Sequence, residues 1–218
     1  MKNIEEHDHH HHTHDHDHHD HNHAHKLSES FEELRTMAIE SLLIEKGLIS
    51  AQEVDELIHH YVTDIGPMNG AKVVARAWVD SEFRQRLLQN GKKAISELGL
   101  ENMHNELIVL ENTPEIHNVV VCTLCSCYPW ALLGLPPAWY KSTAYRSRVV
   151  IDPRSVIREF GLELDESVEI RVWDSNAEIR YLILPERPEG TDRMNEDELA
   201  GIVSRDAMIG VSKVKVSS

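Results

Sequence analysis

Residues 121–130 read V-C-T-L-C-S-C-Y-P-W and hold Cys122, Cys125 and Cys127, the only cysteines in the 218-residue chain. Thiols this close in sequence cannot staple distant parts of a fold, so disulfide scaffolding is a poor reading. The stretch also divides two patterns. Before it lie two apolar runs of strand character, E-L-I-V-L at 106–110 and H-N-V-V-V-C at 117–122, separated by the turn-forming N-T-P at 112–114. After it, Pro136-Pro137 introduces a helix over Trp139 to Val150. Pro153 starts another helix that ends at Gly161, since proline suits a helix's first turn. V-E-I-R-V-W-D (168–174) and E-I-R-Y-L-I-L-P (178–185) alternate and read as a strand pair turning at S-N-A. A last helix covers 195–204.

Upstream, residues 27–99 have helical periodicity. Phe31, Leu34, Ala38 and Leu42 recur at helical spacing, with Gly47 as a stop. Ser50 opens S-A-Q-E, a capping-box pattern, ahead of Val54, Leu57 and Tyr61 on a second amphipathic helix. Residues 69–79 and 82–98 read as further short helices, broken at Asp80-Ser81 and Asn90-Gly91. His59 and His60 are adjacent and therefore point apart, so they form no i,i+4 metal pair and read as surface or interface residues. The fold class is α+β: a His/Asp-rich tail over 1–26, a helical arm over 27–104, and a mixed domain over 105–218 whose small β-sheet carries the cysteine loop.

Composition narrows the function. Hydrophobic residues make up 41%, a little below the globular norm, and the His-rich start accounts for much of the deficit. A net charge of −15 argues against nucleic acid or an anionic membrane as partner. No apolar run approaches the roughly 18 residues needed to span a bilayer. The N-terminus M-K-N-I-E-E-H-D-H lacks the apolar core of a signal peptide, so the expected compartment is the cytoplasm. Residues 7–25 hold 12 of the 16 histidines, interrupted by Asp, and have nothing apolar to bury, so disorder is expected there. The segment reads either as a tag or passive tail, or as a loose store for cobalt, nickel, copper or zinc.

Several chemistries are open to the cysteines. Three buried thiols of no function fit poorly with their clustering. A redox C-T-L-C site would sit before a helix and need no third thiol, and an iron–sulfur cluster normally takes four cysteines. A Cys3His zinc site with His117 is cramped by the single residue between Cys125 and Cys127. That spacing instead folds the intervening backbone against any ion that both sulfurs bind, bringing the amide nitrogens of Ser126 and Cys127 within ligand distance. Deprotonating two amides needs a strongly Lewis-acidic, trivalent ion. Three thiolates and two amidates leave one octahedral position open, as a catalytic site requires.

The motif, with L-G-L-P-P-A-W-Y-K-S, Y-R-S-R-V-V, E-I-R-V-W-D-S-N-A-E-I-R-Y-L-I-L-P-E-R-P-E-G-T, S-R-D-A-M-I-G-V and N-G-A-K-V-V-A-R-A-W-V-D, resembles the α subunit of nitrile hydratase across about 36–212. That resemblance implies a noncorrin Co(III) or non-haem Fe(III) centre that hydrates a small nitrile to its amide. It also implies a β subunit in an αβ or α2β2 assembly and a metallochaperone or activator protein. Cys122 would stay a thiolate, Cys125 would become a sulfinic acid and Cys127 a sulfenic acid. Thr123 and Tyr128 are similar to the cobalt-type members. By position Ser126 supplies an amide ligand, Asp174, Glu178 and Arg180 form a polar trio near the loop, and Trp130 lines the substrate pocket. As alternatives, Glu178 and Arg180 make an ordinary ion pair on one strand face and Trp130 is simple core. Tyr145, Arg146 and Arg148 read as interface residues or an exposed helix face. Ala131 stands where many members have proline. The metal-binding subunit of thiocyanate hydrolase shares C-T-L-C-S-C-Y-P but typically continues with arginine, where Trp130 favours neutral nitriles. A non-catalytic metal-delivery protein is the remaining alternative.

Overall fold

The computed structural model describes residues 31–100 and 104–216; the His/Asp-rich segment read over 1–26 lies outside them. The chain falls into two compact units, one ending at Ile49 and one spanning Ser50–Ser218. In the first, helix α1 (Phe31–Glu45) ends where Gly47 takes φ 67, with Gly47 N bonded to Ile44 O and Leu48 N to Leu43 O. Glycine suits that left-handed turn because it has no Cβ.

In the second unit, local capping sets most helix starts. Helix α2 (Ala51–His59) opens on the expected capping box: Ser50 Oγ accepts from Glu53 N, and Glu53 Oε2 accepts from Ser50 N. It runs into a π-helical turn, His60–Ile65. Helix α3 (Met68–Val79) buries a stripe of small residues, and Gly70 permits the closest approach: a Cβ there would lie 2.7 Å from Leu133 and 2.8 Å from Met208 Sδ. Asp80 caps α4 (Ser81–Gln89) and Asn90 caps α5 (Gly91–Ser96), which divides 82–98 where the sequence indicates.

Four strands follow the sequence pattern, but their pairing does not. Strand β1 (Glu106–Glu111) pairs in parallel with β4 (Ile179–Leu184), and β2 (Ile116–Val121) pairs in parallel with β3 (Glu169–Asp174). The expected β3–β4 pair is thus corrected. Ser175–Glu178 does not close a hairpin; it carries the chain from one two-stranded sheet to the other. Parallel pairing lets the apolar runs Val119–Val121 and Leu182–Leu184 be buried, and this is the burial that parallel strands favour.

Between β2 and β3 lie α6 (Trp130–Leu133), α7 (Ala138–Lys141), α8 (Thr143–Arg148) and α9 (Pro153–Glu159). The single helix expected from Trp139 to Val150 is two, because Ser142 is extended and its Oγ accepts from Tyr145 N to start α8. Helices α10 (Glu196–Ile202) and α11 (Arg205–Ile209) close the unit, α10 behind a second capping box at Asn195.

A buried polar cluster ties these parts together. Asn112 Oδ1 accepts from Asn118 N at 2.8 Å, Asn118 Nδ2 donates to Glu111 O, and Trp173 Nε1 donates to Asn118 Oδ1. His117 is 2% exposed, with Nε2 2.7 Å from Gly210 O and Nδ1 3.2 Å from Asn112 Nδ2. A carbonyl only accepts, so Nε2 carries the proton and the imidazole is neutral. Burial lowers the His117 pKa accordingly. His117 is therefore a structural residue, and it does not join the cysteines.

Candidate metal centre

Strand β2 delivers Cys122 at its end, 1% exposed, and the loop then turns outward so that Cys127 is half-buried and Cys125 exposed. Ser175 N donates to Val121 O at 2.7 Å, extending the β2–β3 ladder to the loop's first residue. Beyond it Asp174, at the end of β3, grips Thr123: Oδ1 accepts from Thr123 N at 2.9 Å and Oδ2 from Thr123 Oγ1 at 2.5 Å. A strand end thus positions a loop residue 51 places earlier in the chain.

The three sulfurs converge. Cys122 Sγ and Cys125 Sγ are 3.3 Å apart, Cys125 Sγ and Cys127 Sγ 3.1 Å, and all three lie within 4.8 Å of one another. These gaps are far longer than a disulfide, about 2.05 Å. Sulfurs bound at about 2.3 Å to one ion stand about 3.8 Å apart at a tetrahedral angle and about 3.3 Å at a right angle. The two neighbouring gaps match right angles at Cys125's edges, closer to octahedral than to tetrahedral spacing.

The backbone between them adds a donor: Cys125 N donates to Cys122 Sγ at 3.3 Å. Hydrogen bonds from Cys127 and Cys122 lower the Cys125 pKa. Burial, assisted by Cys125 and Cys122, pushes the Cys127 thiol up to about 12, and the Arg180 charge opposes that rise.

A cleft of about 460 Å³ opens over Cys125, Ser126 and Cys127. Trp130 and Tyr61 wall it, ring centroids 5.5 Å apart in an edge-to-face pair. Arg180 on β4 lines it too, its Nη1 donating to Asn176 O and to Ile179 O. His60 also lines the cleft, with Nδ1 2.8 Å from Asp64 Oδ2. The structure therefore brings Cys122, Cys125, Ser126, Cys127, Asp174, Arg180 and Trp130 to one place. Glu178 stands apart: it precedes β4, its side chain is exposed, and it forms no ion pair with Arg180. Trp130 is partly exposed on the cleft wall and is not core.

Sequence reading missed other contributors. Tyr140 donates its hydroxyl to Cys127 O at 2.9 Å, and Tyr61 enters the cleft from the π-helical turn. Tyr145, expected at an interface, is buried and donates to Val120 O at 2.7 Å. Arg146 reaches the loop, whereas Arg148 pairs with Glu159 on the surface. A helix heptad pattern carries no signal for such distant contacts.

The profile of the family "Nitrile hydratase, alpha chain" matches residues 30–212. The chain belongs to the nitrile hydratase α-chain family. Among its relatives is the low-molecular weight cobalt-containing nitrile hydratase subunit alpha of Rhodococcus rhodochrous, 55% identical over 189 residues, covering 85% of this chain and 91% of that one. The thiocyanate hydrolase subunit gamma of Thiobacillus thioparus is 44% identical over 195 residues, covering 84% and 80%. A solved double mutant of the Fe-type nitrile hydratase from Comamonas testosteroni Ni1 superposes with a TM-score of 0.77 at 44% identity, covering 84% of this chain and 90% of that chain. Both metals and both enzymes occur among the names, so family membership leaves metal and substrate to be argued from the site.

Proposed function

We propose that the chain is the catalytic α subunit of a cobalt nitrile hydratase that adds water to a neutral nitrile and gives the amide. The observation that carries the reading is the converging sulfur trio beside a cleft walled by Trp130 and Tyr61. Cys122, Cys125 and Cys127 would hold the ion through Sγ, and Ser126 and Cys127 through their backbone nitrogens. A bound trivalent cobalt, or less favourably iron, would supply a Lewis acid that polarises the nitrile carbon. Thr123 and Tyr128, with relatives named cobalt-containing, favour cobalt.

The chain's own residues set what happens in the cleft. The aromatic pair receives the organic part of the substrate and excludes water from it. Cys125 as a sulfinic acid and Cys127 as a sulfenic acid, formed by an external oxidant such as dioxygen, place oxygens at the cleft floor. The Cys127 oxygen either directs a water to the carbon or attacks it itself, in which case its S–O bond breaks and water restores the sulfenate oxygen; either way one water is consumed and its two protons end on nitrogen. Arg180 stands beside Cys127 and stabilises negative charge there. Asp174 keeps the loop in place through Thr123. Glu178, whose exposed side chain makes no ion pair among the described residues, would act only through the assembled complex. The exposed Cys125 leaves the loop open to a metal-donating activator, and unpaired thiols fit a reducing cytoplasm. No helix among the described residues is long and apolar enough to cross a membrane.

The second reading is thiocyanate hydrolysis, favoured by the 44% relative and by the cationic Arg180 in the cleft. Offering a small neutral nitrile beside thiocyanate separates the two: amide formation supports the proposal, and carbonyl sulfide with an untouched nitrile selects the alternative. Elemental analysis and a mass spectrum of the 122–127 peptide should find cobalt and added oxygens; stoichiometric zinc on unmodified thiols removes the proposal. Cys127→Ser should abolish turnover even with metal retained, because a serine oxygen forms no sulfenate.

A further inference from the structure

We propose that Arg146 is the positioning residue that preforms the cysteine loop for its ion, by holding the loop's carbonyls outward. The inference rests on reading that loop as a metal centre. Arg146 Nη1 reaches Cys125 O at 3.3 Å and Thr123 O at 3.5 Å. Its Nε is buried without a partner among the described residues, so the side chain is packed against the loop rather than waving in solvent.

Two neighbouring contacts show why these carbonyls matter. Tyr145, adjacent on α8, donates to Val120 O, and Tyr140 on α7 donates to Cys127 O. Together Tyr145, Arg146 and Tyr140 hold the carbonyls of residues 120, 123, 125 and 127, bracketing all three cysteines from one side. The loop's amide at Cys125 instead bonds sulfur, its N–H donating to Cys122 Sγ at 3.3 Å. A trans peptide is planar, with its C=O and N–H pointing opposite ways. Holding Cys125 O therefore fixes the Ser126 N–H in the opposite direction, away from Arg146. The two tyrosines are buried core residues anchoring helices, whereas Arg146 alone touches the backbone between Cys122 and Ser126 in this set. Its charge also strengthens the hydrogen bonds to those carbonyls.

Such a residue acts on the ion through other groups, where substitutions typically cost 10–100-fold in metal affinity. The test uses the full chain co-produced with its partner subunit in cobalt-supplemented cells, as native, Arg146→Ala, Arg146→Lys and Arg148→Ala. Arg148 is the control because its guanidinium pairs with Glu159 away from the loop. Three readouts are taken: cobalt per chain through chelator dialysis, the sulfur-to-metal absorption band, and thermal melting. Arg146→Ala should lose cobalt about 10–100-fold faster, with a shifted band. Arg146→Lys, which keeps the charge but lacks the guanidinium's fixed planar geometry, should fall between, and Arg148→Ala should match native. If Arg146→Ala fails to assemble, the lysine variant decides. Native cobalt retention and a native band in the variant that assembles overturn the proposal, even if its melting temperature drops. If the native complex itself holds no chelator-resistant metal, the metal-centre reading fails first and this role goes with it.

Discussion

Two residues with opposite surroundings illustrate how side chains act here. Asp174 is exposed and accepts two bonds from Thr123. Asp174→Ala leaves the Thr123 amide to water, a net loss of about 1 kcal/mol by the usual value of one hydrogen bond. Melting should fall by a few degrees while cobalt retention falls more, and Asp174→Asn, which keeps an acceptor, should be milder in both. His117 is buried, and its lowered pKa has a definite sign in stability. Above about pH 6.5 neither state is protonated and the contribution is complete; below it the unfolded imidazole binds a proton that the folded one resists. Stability should fall as pH drops from that value toward the folded pKa. Lys213 adds to the lowering and Glu186 opposes it. His117→Gln should be less stable at pH 8 yet show a shallower acid slope in chemical denaturation. Equal slopes would count against the assignment.

At the scale of elements, the π-helical turn matters most for the cleft. Gly134, at φ 70 just after α6, lets the loop approach the turn: a Cβ would lie 2.6 Å from Tyr61 O and 3.0 Å from Gly66 Cα. Both contacts are backbone, so neither yields cheaply. Gly134→Ala combines that clash with a disfavoured φ, each worth on the order of 1–3 kcal/mol. The variant should melt lower, and its surviving activity should show KM for nitrile raised more than kcat is lowered, because Tyr61 moves while the cysteines do not. An unchanged KM would separate the turn from the substrate. The strands teach a related lesson. Residues 168–185 alternate as a hairpin would, yet each strand pairs with an earlier one. Alternation reports which face is buried, not the partner, so the pairing was unreadable locally.

For the whole molecule, an exposed apolar residue in the loop sets the largest expectation. Leu124, inside the cysteine loop, is 88% exposed. Such a side chain at the proposed metal centre suits coverage by the proposed β subunit, which would also bring donors to the proposed oxidised sulfurs that this chain satisfies sparsely. The chain alone should therefore turn over no nitrile. Leu124→Asp should weaken assembly by roughly 10–100-fold, following the burial of one leucine at about 1.5–3 kcal/mol. Native mass spectrometry across a concentration series reads this directly, and robust activity from an isolated monomer would refute it.

The fold and site divide cleanly by the range of the forces involved. Helix starts at Ser50, Asp80, Asn90 and Pro153, the four apolar strands and the C-T-L-C-S-C spacing all depend on atoms within a few residues, so the sequence by itself determined them. So was the convergence of the thiols, because a six-residue span leaves the sulfurs little else to do around an ion. Only the tertiary structure decided the parallel pairings, the Asp174–Thr123 grip across 51 residues and the reach of Arg146 over 21. Each needs the core already closed. Hydrogen bonds between distant residues form once apolar burial has offset the entropy of bringing those segments together, and no local pattern encodes which segments those will be.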